Sequence, residues 1–208
     1  MQSPTRRRLV MAAGAAILSS PARAAAPLVA TPEMTEGPFY PDHLPSDLDS
    51  DLVKVAGRNG QASGEILALS GRVLGLDGNP IRGAVVEIWQ VDAHGHYLHS
   101  GDYAEGERDA NFQGYGRAQV DAQGLYRFRT LKPVAYDFRA PHIHVRVLRP
   151  GGRSLTTQMM IAGDPQNARD SIYRRVRPDL QRLVAVELRP NLVGPDAGST
   201  ARFDLVLA

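Results

Sequence analysis

In the stretch Gly71-Arg-Val-Leu-Gly-Leu-Asp-Gly-Asn-Pro-Ile-Arg-Gly-Ala-Val-Val-Glu-Ile-Trp89, two aliphatic runs flank the turn residues Asp77-Gly78-Asn79-Pro80. Gly, Asn and Pro favour the backbone angles of tight turns, whereas Val and Ile favour strands. The stretch therefore predicts two β-strands joined by a turn. Many extracellular binding and adhesin modules share this pattern, so on its own it indicates a fold and not an activity.

Strand-like runs of the same kind recur at short intervals along the chain. They cover residues 66–74, 84–91, 116–120, 125–130, 142–148, 155–161, 183–188 and 202–207. Turn residues separate several of them, as at 121–124 and 150–152, and the one helical candidate of note is short, near 170–176. Short strands with Gly/Pro turns and hardly any helix predict an all-β fold, a β-sandwich with long connecting loops.

Three regions follow one another along the chain. Residues 1–24 have the features of an export signal: an arginine run at 6–8, a weakly apolar segment at 11–18 and the small-residue cleavage site Ala22-Arg23-Ala24. An arginine pair before a mild apolar segment predicts the twin-arginine route, and so a periplasmic or extracellular protein. Residues 25–65, rich in Pro, Gly and Asp, predict an extended N-terminal arm. Residues 66–208 predict the sandwich, which forms one domain with the arm.

The charge of the chain points away from nucleic acids once the signal is removed. The 208 residues carry 24 Lys and Arg and 22 Asp and Glu, a net charge of +2. Residues 1–24 contain four arginines and no acidic residue, so the remainder carries 20 basic and 22 acidic residues, a net charge of −2. The basic character therefore belongs to the signal. With no cysteine, the chain can form neither disulfides nor thiolate metal sites, and no run is long enough for a stable membrane span.

The stretch with the richest chemistry is Tyr136-Asp-Phe-Arg139-Ala-Pro-His142-Ile-His144. Apolar residues alternate with His142, His144 and Arg146, which is typical of a half-buried strand whose residues i and i+2 share one face. Both imidazoles can therefore point at one metal ion, and the phenol of Tyr136 can return over the same spot. Oxygen ligands beside imidazoles favour a hard ion such as ferric iron over zinc.

An ordered set of motifs resembles the intradiol ring-cleavage dioxygenases, and especially the subunits of protocatechuate 3,4-dioxygenases. The matching blocks are Thr35-Glu-Gly-Pro-Phe-Tyr40, 83–90, Gly95-His-Tyr97, 111–117, 121–129, 132–136, Arg139-Ala-Pro-His-Ile-His144, and 155–158 through 163–165. They cover roughly residues 31–165, whereas the last forty residues match only in strand character. The resemblance implies a prealbumin- or transthyretin-like β-sandwich.

The resemblance also implies a non-haem Fe(III) ion held by two tyrosinates and two histidines, and no organic cofactor. Motif positions assign these ligands to Tyr97, Tyr136, His142 and His144. Fe(III) favours the phenolate form of a coordinated tyrosine. Two phenolates and one hydroxide also balance its +3 charge inside a sandwich of low dielectric.

Further roles follow from the same resemblance. Arg139 matches an active-site arginine that stabilises negative charge on the substrate, and Gln158 matches a pocket glutamine near the iron. Trp89 matches a tryptophan near the site, although a buried tryptophan in a sandwich needs no function. Two further sets are weaker: His94, His96 and His99, which we expect to be solvated loop residues, and Tyr40, His43, Tyr103 and Tyr115, which could line the pocket mouth. Arg117 is expected to be structural.

The implied reaction is the cleavage of a catechol-type ring by O₂ between its two hydroxyl-bearing carbons, giving a cis,cis-muconate-type product. Tyr136 would leave the metal and act as a base, so it counts as both ligand and catalytic residue. The segment from Tyr136 to Arg139 is shorter than in well-known family members, so the preferred catechol stays open. The expected partners are a catecholic substrate, O₂, the twin-arginine export machinery and further copies of the chain in a homo-oligomer. The alternative is an exported β-sandwich binding module without turnover.

Overall fold

The computed structural model describes residues 26–192 and 197–208. The predicted export signal at 1–24 lies outside these residues. Ten strands are present: β1 (Ile66–Gly75), β2 (Val85–Trp89), β3 (Tyr115–Gln119), β4 (Leu125–Leu131), β5 (His142–Leu148), β6 (Leu155–Ile161), β7 (Ala185–Val186), β8 (Arg189–Asn191), β9 (Gly198–Arg202) and β10 (Leu205–Leu207). Three short 3₁₀ helices lie between β6 and β7, and the described residues contain no α-helix.

The strands form two five-stranded sheets. In the first, the long strand β1 pairs with β4 in antiparallel fashion and with β9 and β10 in parallel, and β8 extends the sheet beyond β9. The second sheet has the order β3-β2-β5-β6-β7. The predicted all-β sandwich with little helix is therefore confirmed.

The main core lies between the two sheets and follows from the alternation of side chains along the strands. Leu67 and Leu69 of β1 face the core from one sheet, and Ile143, Val145 and Val147 of β5 face it from the other. Burial of each such side chain contributes about 1.5–3 kcal/mol to the free energy of unfolding. Because successive residues of a strand point to opposite faces, β5 turns His142 and His144 away from this core.

The outer face of the second sheet is covered by the N-terminal arm. Residues 26–65 contain no ladder strand, but backbone hydrogen bonds tie them to the sandwich, for example from Met34 N to Thr156 O and from Leu52 N to Arg129 O, at 2.9 and 2.8 Å. Phe39, near the end of the motif at 35–40, packs in an aromatic cluster with Trp89 and Tyr97. The arm thus closes a space above His142 and His144.

Three local predictions were wrong. The helix expected at 170–176 is only a 3₁₀ turn, Tyr173–Arg175, because Val176 is extended and ends the turn two residues before Pro178. The strand expected at 183–188 is reduced to β7, which pairs with only the last two residues of β6. The strand expected at 202–207 is divided, since Asp204 Oδ1 accepts the amide of Arg72 in place of a backbone carbonyl.

A search for membrane-spanning segments among residues 26–192 and 197–208 finds no helix of sufficient length and apolar character.

Candidate metal centre

Two imidazoles of β5 converge on one point. His142 and His144 are buried on the face of β5 that looks toward the arm, and their Nε2 atoms lie 3.1 Å apart. His142 Nδ1 lies 2.7 Å from Ala140 O, and because a carbonyl only accepts, this nitrogen carries the proton. The lone pair of His142 Nε2 therefore points into the cluster. The carbonyl of Ala140, two residues before His142, thus fixes the tautomer of this imidazole.

Burial keeps both imidazoles neutral. It lowers the pKa of His142 to about 3, and the nearby Arg139 guanidinium acts in the same direction. Burial also holds the pKa of His144 well below its ordinary value, with smaller contributions from His142 and Arg139. Neutral imidazole is the form that binds metals.

Two phenols complete the cluster from different loops. Tyr97 follows a turn organised by Asp92, whose Oδ1 accepts the amides of His94 and His96. The Tyr97 hydroxyl lies 3.0 Å from His144 Nε2 and donates to the Tyr136 hydroxyl at 2.9 Å. Tyr97 is buried, whereas Tyr136 is partly open to solvent.

The pKa of each phenol is raised when no cation is bound. Burial is the main cause for both Tyr97 and Tyr136, and for Tyr97 the neighbouring Tyr136 adds to it. The Arg139 guanidinium acts in the opposite direction on both. A multivalent cation at the point where the four groups meet would reverse this balance and favour the phenolates.

The spacing of the four donor atoms fits a single metal ion. Metal–nitrogen and metal–oxygen bonds of about 2.0–2.2 Å place two neighbouring ligands about 3 Å apart. Within the cluster, Tyr97 Oη lies 2.9 Å from Tyr136 Oη and 3.0 Å from His144 Nε2, and the two Nε2 atoms are 3.1 Å apart. In the described part of the chain, no group of three or more His, Cys, Asp or Glu side chains could hold a metal ion. The donor set is therefore two imidazoles and two phenols, without carboxylates or thiolates, which suits a hard trivalent ion.

Neighbouring residues hold the four donor side chains in place. The Trp89 indole stacks on the His144 ring, with 4.9 Å between centroids and 10° between planes, and Phe39 stacks on Tyr97 at 4.8 Å. The proximity of Trp89 to the site is thus as expected. Gly37 of the arm also lies against the His144 ring, so closely that a Cβ at Gly37 would lie 3.3 Å from His144 Cε1. The sequence pattern gave no signal for this last contact.

Arg139 lies beside the phenols, bound to two partners. Its Nε donates to Asp170 Oδ2 at 2.8 Å and its Nη2 donates to Gln158 Oε1 at 2.5 Å. Gln158 is opposite His144 in the β5–β6 ladder, and its Nε2 donates to Thr35 O of the arm at 2.8 Å. Arg139 and Gln158, both expected near the iron, therefore lie close to the four donor side chains. Sequence reasoning missed Asp170, which is 31 residues from Arg139 in a segment expected to be helical.

The turn between Tyr136 and Arg139 is short and strained. Arg139 N donates to Tyr136 O at 2.8 Å, and Asp137 has a φ of +47°, the one positive value of a non-glycine residue in the described ranges. Tyr103 donates to Asp137 Oδ2 at 2.8 Å, while Phe138 is 94% exposed. A cavity of about 240 Å³ beside this turn is lined by Tyr103 and both phenols. Of the two phenols that line the cavity, Tyr136 is the more exposed.

The weaker candidates have mixed outcomes. None of the hydrogen bonds found among the described residues joins His94, His96 or His99 to the four donor side chains, and of these three histidines only His94 is exposed. His96 is buried, and its Nδ1 lies 3.0 Å from Asp102 Oδ2. The expectation that His96 is solvated was therefore wrong. Tyr103 lines the pocket mouth, whereas Tyr115 is fully buried and Tyr40 donates to Glu87. His43 is exposed and lines a shallow depression with His96 and Tyr97. Arg117 forms an ion pair with the buried Glu87, as a structural residue would.

Comparison with known proteins identifies the same architecture. A protein-family model described as dioxygenase matches residues 35–208. The chain is 39% identical over 159 residues to the protocatechuate 3,4-dioxygenase beta chain of Burkholderia cepacia, which covers 71% of this chain and 68% of that protein. It is 35% identical over 155 residues to catechol 1,2-dioxygenase 2 of Acinetobacter lwoffii, covering 65% of this chain and 52% of the relative. The chain thus spans about half the length of that second relative.

Solved structures agree. The dioxygenase domain of a dioxygenase–carbohydrate-binding fusion from Streptomyces sp. SirexAA-E has a TM-score of 0.65 at 30% identity, covering 86% of this chain and 98% of the other. Catechol 1,2-dioxygenase from Acinetobacter sp. ADP1 has a TM-score of 0.68 at 29% identity, with 86% and 63% covered. Taken with the geometry of the site, these matches show that the chain belongs to the intradiol ring-cleavage dioxygenase family.

Proposed function

We propose that this chain is a non-haem Fe(III) dioxygenase that cleaves a catechol-type ring between its two hydroxyl-bearing carbons and yields a cis,cis-muconate-type product. The observation that carries the proposal is the convergence of His142 Nε2, His144 Nε2 and the hydroxyls of Tyr97 and Tyr136, with neighbouring atoms 2.9–3.1 Å apart. These four residues would hold the iron. When bound, Fe(III) supplies a Lewis acid and a template that brings a catechol and O₂ together.

Tyr136 is the ligand best placed to move a proton. Tyr136 is more exposed than Tyr97 and begins the strained turn at 136–139, beside the cavity. The oxygen of Tyr136 accepts a hydrogen bond from Tyr97 and is near Arg139. As the phenolate that a bound Fe(III) would favour, Tyr136 could take up the proton of an arriving catechol hydroxyl and become a neutral phenol, while Tyr97 stays in place. Tyr136 is therefore assigned as ligand and base.

Arg139 supplies fixed positive charge. Its guanidinium lies next to the phenols, with Nε and one N–H of Nη2 engaged by Asp170 and Gln158. The remaining N–H groups can face the substrate ring and stabilise the negative charge that develops there. Gln158 Oε1 accepts a hydrogen bond from the guanidinium, and Gln158 Nε2 donates to Thr35 O, which links the guanidinium to the arm.

The substrate is proposed to be a small catechol that enters past Tyr103 and the turn at 136–139. The named relatives act on protocatechuate and catechol, as their names state, and catechol, protocatechuate, hydroxyquinol and substituted catechols are all candidates for this chain. We also propose export by the twin-arginine route to the periplasm or the exterior, supported by the residues at 1–24. Any assembly is proposed to be with copies of the same chain, since one copy carries all four donor residues and needs no separate iron-binding subunit.

An oxygen-electrode screen of these catechols with the iron-reconstituted protein tests the proposal. We expect O₂ uptake with at least one of them, a muconate-type product spectrum and a red-brown protein. A protein that takes up iron and colour but consumes no O₂ with any catechol would favour a binding module. A protein that stays colourless after iron reconstitution would contradict the ligand set itself.

A further inference from the structure

The carboxylate of Asp170 is an unusual feature of the site, because it is fully buried and saturated with donors. Its Oδ2 accepts Arg139 Nε at 2.8 Å and Ala140 N at 3.0 Å, and its Oδ1 accepts the amides of Ile172 and Tyr173, both at 2.9 Å. Four donors, one of them charged, offset the cost of burying this carboxylate. Ala140 follows Arg139 directly, so Asp170 holds both the side chain and the adjoining backbone.

Gln158, the second partner of the guanidinium, binds a different nitrogen atom of it. Gln158 Oε1 accepts Nη2 at 2.5 Å, and Gln158 is itself anchored by Thr35 O. A planar guanidinium with two of its nitrogen atoms held by fixed acceptors cannot rotate about its side-chain bonds. Three N–H groups remain for other contacts, and their directions are set by the two that are engaged.

We propose that Asp170 is a positioning residue for ring cleavage, which orients the Arg139 guanidinium toward the substrate without touching the substrate itself. The inference rests on the proposed function and extends it to a residue of the segment between β6 and β7. A misplacement of a catalytic group by about 1 Å can cost about 100-fold in rate. Loss of the Asp170 carboxylate therefore lowers turnover through Arg139.

A purely structural role for Asp170 is the competing explanation, since its Oδ1 also organises the 3₁₀ turn Tyr173–Arg175. The two roles differ in how they combine with the loss of Arg139. A structural defect reduces turnover by the same factor whether or not Arg139 is present. A positioning effect disappears once Arg139 is removed.

The kinetic test compares Asp170→Asn, Arg139→Ala and the double variant, with Asp164→Asn as the matched control. Asp164 binds the amide of Gln166 in the neighbouring 3₁₀ turn and has no contact with Arg139. We expect kcat to fall about 10- to 100-fold in Asp170→Asn, with KM changed much less and Asp164→Asn unaffected. Added to Arg139→Ala, Asp170→Asn should lower kcat by less than about 2-fold. Equal factors in both backgrounds would overturn the proposal.

A second measurement needs neither iron nor turnover. In the iron-free protein, the Nε–Hε signal of Arg139 in a ¹H–¹⁵N NMR spectrum should exchange slowly with water, because it is bound to a buried carboxylate. Gln158→Ala should retain this protection, since Gln158 binds Nη2, and Asp170→Asn should lose it. An Arg139 Nε–H that exchanges in the wild-type protein as fast as that of an exposed arginine overturns the proposal even if Asp170→Asn fails to fold. Absence of O₂ uptake with every catechol in wild type would instead count against the proposed function and leave the NMR result standing.

Discussion

Replacement of Gly37 by alanine should weaken iron binding through a single contact with His144. Gly37 has a φ of +74°, a left-handed conformation that costs a non-glycine residue about 1–2 kcal/mol. The added Cβ would lie 3.3 Å from His144 Cε1 and 3.9 Å from Nε2. Because Trp89 stacks on one face of this imidazole, the ring can yield only by shifting its ligand nitrogen by a few tenths of an ångström.

A matched control separates backbone strain from displacement of the ligand. Gly57 has a φ of +78°, and a Cβ there would meet no atom within 4 Å. Gly57→Ala therefore carries the same conformational cost without the contact to His144. For a domain of this size, 1 kcal/mol corresponds to about 2–4 °C in Tm, so both alanine variants should melt about 2–8 °C below wild type in their iron-free forms.

The variants should differ in iron affinity. Residues that hold metal ligands in place typically contribute 10- to 100-fold to affinity, so we expect Gly37→Ala to bind Fe(III) about 10-fold more weakly than Gly57→Ala. Competition with a chelator, followed by the visible band of the bound iron, measures the affinity, and thermal unfolding measures the strain. Equal iron affinities in the two variants would refute the claim that the arm fixes His144.

Three further predictions concern the ligands. His142→Ala should lose iron binding and O₂ uptake, and full O₂ uptake with iron in that variant would exclude His142 as a ligand. Tyr136→Phe should still bind iron and keep some colour from Tyr97, but its turnover should fall by at least about 100-fold, as expected when a base is removed. A kcat near the wild-type value would show that Tyr136 is not the base. In the iron-free protein, burial lowers the pKa of His142 to about 3, so between about pH 6.5 and 3 the unfolded chain binds a proton that the folded chain does not. The free energy of unfolding should therefore decrease as the pH falls through this window, by up to about 1.4 kcal/mol per pH unit, and urea titrations should show a flatter slope for His142→Gln.

The alternation along β5 made the fold and half of the site predictable from local sequence. A period of two placed Ile143, Val145 and Val147 in the core and both histidines on the opposite face, as the structure shows. Tyr97 is different, because its place beside His144 depends on a turn in another part of the chain. Only the resemblance to a known family pointed to it.

Contacts between distant segments could not be predicted from the sequence. Asp170 lies in a segment that the sequence predicts as a short helix, and nothing local indicates that its carboxylate contacts Arg139, 31 residues away. Gly37 lies in the motif at 35–40, but its approach to His144 depends on how the arm crosses the sheet. His96 was expected to be a solvated loop residue because the resemblance assigns Tyr97 to the metal instead, but Asp102 provides a partner that permits its burial. Such pairings depend on tertiary structure and leave no periodic pattern.

The central claim is that Tyr97, Tyr136, His142 and His144 form a ferric centre for intradiol cleavage. Its most direct test is the product spectrum recorded when the Fe(III)-loaded protein consumes O₂ with a catechol. We expect a cis,cis-muconate-type product, absorbing in the ultraviolet, with O₂ and catechol consumed in equal amounts. A yellow extradiol product, or no product from a protein that has bound iron, would contradict it.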